Sequence, residues 1–177
     1  MRNRLWALTG TAVAITAATL LLAVSPRSGP ATAWPTPSPV SVPPADPRVD
    51  GRDAAAVCLA FATAVFTRDT TTDRGPADSY IRAAAYADTR FAAALSVPVR
   101  DVLPGWDTWA AHRAHIIVQA GLAPGDVDTA TSVTVAVTAT PTGRDGWTGP
   151  AERALVHCQL QENGGRYRVS GYGIEPA

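Results

Sequence analysis

The sequence contains no lysine, and all 15 of its basic residues are arginines. This absence excludes every site that needs an ε-amino group, including the phosphate-binding lysine of a P-loop, a Schiff-base lysine and a serine–lysine dyad. Acidic residues also number 15, so the formal net charge is zero. Because there is no excess of positive charge, the composition does not favour a nucleic-acid-binding protein.

Cysteine is almost as scarce, since Cys58 and Cys158 are the only two in the chain. Their wide separation excludes a C-x-x-C redox pair and a clustered zinc site. An even number of cysteines in an exported domain favours one disulfide between them. The alternative is two buried free thiols that pack as small apolar side chains.

The common signatures of enzymes are also missing. The sequence has no Gly-x-Ser-x-Gly elbow, no HExxH and no dinucleotide-binding glycine pattern. His112 and His115 suggest a metal site, but on one strand they would point to opposite faces, without a carboxylate partner at fixed spacing. His157 and Cys158 would likewise face opposite sides, which argues against a nucleophilic pair. We therefore expect no metal and no cofactor.

Six further side chains are weaker candidates for function. If the fold encloses a pocket, four ionisable residues are candidates for an acid or base: Asp69, Tyr86, Asp88 and Asp107. We expect these four to serve instead as helix caps, loop residues and solvated positions. Trp106 and Trp109 lie near a proline turn, where large aromatic side chains can anchor a partner. The alternative for both tryptophans is packing in the core.

The one long apolar run is Leu5 to Val24, directly behind Arg2 and Arg4. A run of about 20 uncharged residues is long enough to span a bilayer, and flanking arginines favour a cytoplasmic N-terminus. The pattern predicts a retained anchor at residues 5–24, a cytoplasmic tail at residues 1–4 and export of the rest. The alternative is a cleaved secretory signal, because Ala31-Thr32-Ala33 forms an A-x-A site. Both interpretations place the remaining chain outside the cytoplasm.

Prolines dominate the linker at residues 25–49. Because proline fixes φ and lacks an amide hydrogen, this linker is expected to be an extended, polyproline-like spacer or a disordered one.

Residues 50–177 are predicted to form a single folded domain. Helical periodicity indicates a helix capped by Asp50 and running to about Asp69, and a second helical stretch at 77–95 that Asp88 can divide into two. Alternating residues then indicate strands at 109–120, 129–140, 152–162 and 166–174. Helices followed by antiparallel strands give an α+β fold, with the helices packed on a curved sheet.

The two cysteines belong to different elements of this predicted fold. Cys58 shares the apolar face of the first helix with Val57 and Phe61, and Cys158 points to the same side of its strand as Leu160. If that side of the strand faces the helix, a disulfide is geometrically plausible.

The order of parts resembles the nuclear transport factor 2-like extracytoplasmic domains. A short tail, an anchor and a proline-rich spacer precede the segments AAAVCLAFATAVFTRDT and SYIRAAAYADTRFAAAL, a tryptophan-containing turn and strands. More narrowly, the chain resembles actinobacterial relatives of the bitopic assembly factors of type IV secretion and conjugation machines. This resemblance implies a cone-like domain without an enzymatic site, which self-associates and contacts other membrane channel subunits.

We therefore expect a non-enzymatic scaffold of a conjugative transfer or type IV secretion-like channel, anchored in the cytoplasmic membrane with its C-terminal domain outside. Two alternatives remain open. One is an accessory subunit of a mammalian-cell-entry-type lipid transporter, which shares the layout of anchor and cone. The other is an exported cone-fold enzyme or small-ligand binder, which a deep pocket with ionisable groups at its base would favour.

Overall fold

A computed structural model describes residues 41–96, 104–124, 129 and 131–177. These residues belong to one compact unit, Ser38–Ala177. The predicted anchor at residues 5–24 and most of the proline-rich linker lie outside the described residues. Among the helices that are described, none is long and apolar enough to cross a bilayer.

The first helix, α1, spans Ala54–Phe66 and is capped by Asp53. The Asp53 carboxylate accepts hydrogen bonds from the amides of Ala55 and Ala56, which have no partner within the helix. The prediction that Asp50 is the cap was wrong, because the Asp50 carboxylate accepts from Arg52 in the preceding turn. The helix also ends earlier than predicted, since Thr67 is already extended.

The second helical stretch is divided as the sequence predicted. It consists of α2 (Asp78–Ala83), a 3₁₀ turn (Ala84–Tyr86) and α3 (Thr89–Leu95). Asp88 begins α3, and its carboxylate accepts a hydrogen bond from the Phe91 amide at 2.7 Å. An aspartate can cap a helix in this way because its side chain replaces the missing carbonyl of a preceding turn.

A short helix, α4 (Trp106–Ala111), stands where the sequence analysis placed the start of a strand. Gly105 precedes it with a φ of 93°, and its carbonyl accepts a hydrogen bond from the Trp109 amide. Arg113 ends the turn with a φ of 49°. The prediction that His112 and His115 lie on one strand was therefore wrong: His112 caps α4, and His115 begins the next strand.

The sheet contains four antiparallel strands in chain order: β1 (His115–Leu122), β2 (Ser132–Thr142), β3 (Glu152–Asn163) and β4 (Arg166–Pro176). Strand β2 continues beyond its predicted end, and Pro141 pairs with Ile116. The β3–β4 hairpin closes through Gly164 and Gly165, whose φ angles of 61° and 74° suit a tight turn that favours glycine.

One face of the sheet packs against α1 to form the core. Valines of β2 and β3 are buried against α1 and alternate with residues of the other face, as the sequence predicted. Cys58 of α1 and Cys158 of β3 lie at disulfide distance, with Sγ atoms 2.04 Å apart. The rings of Phe61, Phe91 and Tyr172 form an aromatic cluster beside them. The chain is therefore an α+β protein in which α1 packs on the sheet and is linked to β3 by the pair Cys58 and Cys158.

Candidate functional site

A cavity of about 440 Å³ opens at the end of the core next to α4. Its walls come from α4, the start of β1, the end of β2 and the loop that leads into β3. The lining is mostly apolar, and its larger side chains are Trp109, Ile116, Pro141, Trp147 and Pro150. Cavities of this size and character are typical of sites for small organic ligands.

Arg68 brings a positive charge into this apolar lining. It follows α1 directly, and its carbonyl accepts a hydrogen bond from the Ile116 amide at 2.8 Å. Only 4% of its surface is exposed, and its guanidinium carbon lies 5.9 Å from the centre of the Phe66 ring. A buried guanidinium normally requires hydrogen bonds to offset the loss of water.

The guanidinium of Arg68 is incompletely paired. Among the described residues its Nε atom has no hydrogen-bond partner. Arg68 also forms no ion pair with any other described residue. Burial lowers the pKa of Arg68, while the Tyr80 hydroxyl and the charge of Glu152 act in the opposite direction. Because the guanidinium is the most basic of the side chains, Arg68 keeps its charge at neutral pH.

Trp147 forms one wall of the cavity and is held by His112. The two rings are stacked, with centroids 4.4 Å apart and planes inclined by 2°. His112 Nδ1 also lies 2.8 Å from Asp145 Oδ2, and the other oxygen of Asp145 accepts a hydrogen bond from the Trp147 amide. The hydrogen bond with His112 lowers the pKa of Asp145 from its ordinary value. These contacts fix the indole at the mouth of the cavity.

An ion pair attaches the same loop to the end of α1. Arg144 Nη2 lies 2.9 Å from Asp69 Oδ2, and its Nη1 donates to the Arg113 carbonyl at 3.0 Å. The hydrogen bond from Arg144 is the main reason that the pKa of Asp69 lies well below its usual range. Asp69 is therefore an ionised anchor of the loop.

The other acid and base candidates from the sequence lie apart. The Tyr86 hydroxyl accepts a hydrogen bond from the Asp46 amide, and Asp88 caps α3. Asp107 is exposed in the first turn of α4. His157 lies on the sheet face opposite to Cys158, with its Nδ1 3.1 Å from the Thr134 hydroxyl.

The two tryptophans singled out from the sequence take different positions. Trp109 packs against the core and lines the cavity. Trp106 is half-buried and contacts Trp109, with ring centroids 6.5 Å apart. The prediction that they contact a partner protein stays a prediction.

Sequence reasoning did not single out Arg68 or Trp147. A signal for Arg68 was present, because it follows Phe61 by seven residues and Val65 by three and so continues the buried face of the helix. Trp147 gave no such signal, since it lies in a turn rich in glycine where no periodicity applies.

A second concave surface lies on the side of α1 that faces away from the sheet. We call it the α1 groove, a depression of about 770 Å³ whose floor consists of small and apolar side chains. These include Pro43, Pro44, Val49, Leu59, Ala60 and Ala64. Charged side chains surround the floor, among them Asp46, Arg48 and Arg82.

Across the described part of the chain, no three His, Cys, Asp or Glu side chains are placed to hold a metal ion. Comparison of the chain with known proteins found no matching family model, no matching curated protein and no matching solved structure.

Proposed function

We propose that this protein is a membrane-anchored, non-enzymatic scaffold of a conjugative transfer or type IV secretion-like channel. In this proposal residues 5–24 anchor the chain in the cytoplasmic membrane, and residues 25–49 separate the anchor from the domain. Residues 50–177 form a nuclear transport factor 2-like cone outside the membrane. Its partners are other membrane channel subunits and further copies of the chain.

The observation that carries this proposal is the α1 groove. Its apolar floor and charged rim have the arrangement typical of protein–protein interfaces. Ala56, Ala60 and Ala64 recur every fourth residue along the floor, which allows the backbone of another helix to approach closely. We therefore assign the groove to a helix of another channel subunit.

The packing of the core gives further support. Between α1 and the sheet, the space is filled by the disulfide, by valines and by the aromatic cluster of Phe61, Phe91 and Tyr172. Apart from the cavity beside α4, the interior is filled, and contacts with large partners therefore fall to the surface of the domain. Such a rigid body is suited to holding other subunits at fixed positions.

Site-specific photocrosslinking in the native membrane tests the proposal. A photoreactive residue is placed at Ala60 in the α1 groove of the full-length protein, and a matched one at Gln119, which is exposed on the far face of the sheet. We expect Ala60 to capture membrane subunits of a transfer machine, identified by mass spectrometry, and Gln119 to capture none of them.

Three outcomes would overturn the proposal. Recovery of a lipid-transport permease at Ala60 would select the alternative of a transporter subunit. Equal capture at both positions would remove the groove as the contact surface. Recovery of the protein only as a cleaved, soluble species would remove the anchor and the scaffold together.

A further inference from the structure

We propose that the cavity beside α4 binds a small organic acid, with the carboxylate paired to Arg68 and the apolar body held between Trp109 and Trp147. This inference goes beyond the scaffold function, because it assigns a ligand to a different face of the domain. The proposed role of the cavity is to bind a small molecule without changing it chemically.

The charge at the base of the cavity defines the polar part of the ligand. Arg68 is almost fully buried, and its Nε has no hydrogen-bond partner among the described residues. A guanidinium presents its donors in a planar fork that matches a carboxylate, and such pairs are strong when water is excluded. A ligand carboxylate in the cavity would accept hydrogen bonds from this incompletely paired guanidinium.

The walls define the rest of the ligand. Trp109 and Trp147 offer flat aromatic surfaces, and Ile116, Ala139 and Pro141 add aliphatic ones. A body that is planar and apolar would bury its surface against them. The cavity volume of about 440 Å³ admits a molecule with one or two rings and excludes a folded partner.

The position of Glu152 favours a ligand with one negative charge over a ligand with two or more. It lines the cavity but is exposed, and it acts on Arg68 through its charge without forming an ion pair with it in the described structure. A single carboxylate at Arg68 is balanced by the guanidinium. A second anionic group near the mouth would meet the negative charge of Glu152. We therefore infer a monocarboxylic acid.

The test uses two probes of nearly identical shape, 2-naphthoate and its neutral analogue 2-naphthamide. Binding to the full-length protein in lipid nanodiscs is measured by calorimetry, with empty nanodiscs as the blank. The two probes share the same ring system, and the amide lacks the negative charge and one acceptor oxygen of the carboxylate. We therefore expect naphthoate to bind at least ~10-fold more tightly, as is typical of a charge-assisted pair. Equal affinity of the two probes, or no binding of either, would overturn the proposal.

Variants locate the site. Arg68→Met keeps the aliphatic stem and removes the charge, and it should weaken naphthoate at least ~10-fold while leaving naphthamide unchanged. The control is Arg52→Met, which removes an exposed arginine that lines neither this cavity nor the α1 groove. If Arg68→Met binds naphthoate as the unaltered protein does, Arg68 is not the anion site.

A second variant decides the question even if Arg68→Met does not fold. Glu152→Gln changes an exposed side chain and removes the negative charge at the cavity. It should tighten naphthoate binding about two-fold and leave naphthamide unchanged, as expected for a charge at the edge of a site. Weaker naphthoate binding in Glu152→Gln would contradict the proposed position of the carboxylate.

Discussion

His112, at the end of α4, and Trp147, in the loop between β2 and β3, are stacked almost in parallel although they lie far apart in the chain.

 The planes of the two rings are inclined by 2°, their centroids lie 4.4 Å apart, and Asp145 holds the imidazole from the side at 2.8 Å. The end of α4 and the β2–β3 loop therefore meet through one imidazole ring, which positions a wall of the cavity.

Replacing His112 should release that wall. His112→Ala removes both the stacked ring and the partner of Asp145, so we expect the Trp147 indole to become more mobile and more exposed to water. The indole N–H signal of Trp147 in NMR spectra should shift and broaden. His157→Ala, on the outer face of the sheet, is the control and should leave this signal unchanged. An unaltered signal in His112→Ala would show that the loop holds Trp147 without the histidine.

The two aspartates before α1 should differ in their effect on stability. Asp53→Ala removes the acceptor of two helix amides and should lower the free energy of unfolding by about 1 kcal/mol. Asp50→Ala removes only a hydrogen bond within the preceding turn and should cost less than half as much. Urea unfolding of both variants measures the difference. If Asp50→Ala lowered the free energy of unfolding as much as Asp53→Ala or more, Asp50 rather than Asp53 would be the residue that caps α1.

The ion pair between Asp69 and Arg144 should make stability depend on pH in acid. Because the folded state lowers the pKa of Asp69, its stabilising contribution is complete above the unfolded pKa of about 4 and is lost as the pH falls toward the lower folded pKa. Asp69→Asn should therefore be less stable than the original protein at pH 7, by no more than about 1 kcal/mol for a partly exposed pair.

At pH 2.5 the difference between Asp69→Asn and the original protein should be smaller than at pH 7. Thermal unfolding at the two pH values tests this expectation, with Glu162→Gln, at an exposed position, as the control. If the difference in stability between Asp69→Asn and the original protein were the same at pH 7 and pH 2.5, the ionised form of Asp69 would not be what stabilises the fold.

The disulfide should be a main source of stability. It closes a loop with a sequence separation of 100, and constraining a loop of that length contributes about 4 to 5 kcal/mol in the chain-entropy model. The double variant Cys58→Ala, Cys158→Ala should therefore lose at least about 3 kcal/mol of its free energy of unfolding. Denaturant titration measures the loss. A change below 1 kcal/mol would indicate that packing alone holds α1 on β3.

Patterns within single elements were enough to predict much of the fold. The Asp88 cap, the alternating valines of β2 and the two glycines of the β3–β4 turn each act over a few residues. For this reason the α+β class and the opposition of Cys58 and Cys158 could be derived from the sequence. The cone-like form stays a prediction.

Features that depend on distant contacts were missed. Helix α4 is only six residues long, which is too short for a helical periodicity to be read from the sequence. The environment of Arg68 depends on β1, and that of Trp147 depends on His112. Since these contacts join different elements, no local pattern could reveal the cavity or the α1 groove.

The disulfide also determines how the domain would respond to a pull. A tension applied between the two ends of the domain enters through α1 and leaves through β4, and the bond between Cys58 and Cys158 carries it directly from helix to sheet. The chain between the two cysteines, which includes β1, β2 and the residues that line the cavity, therefore does not bear the tension. Stretching can peel away the segments outside the bond, but it cannot lengthen the part of the domain that lies within it.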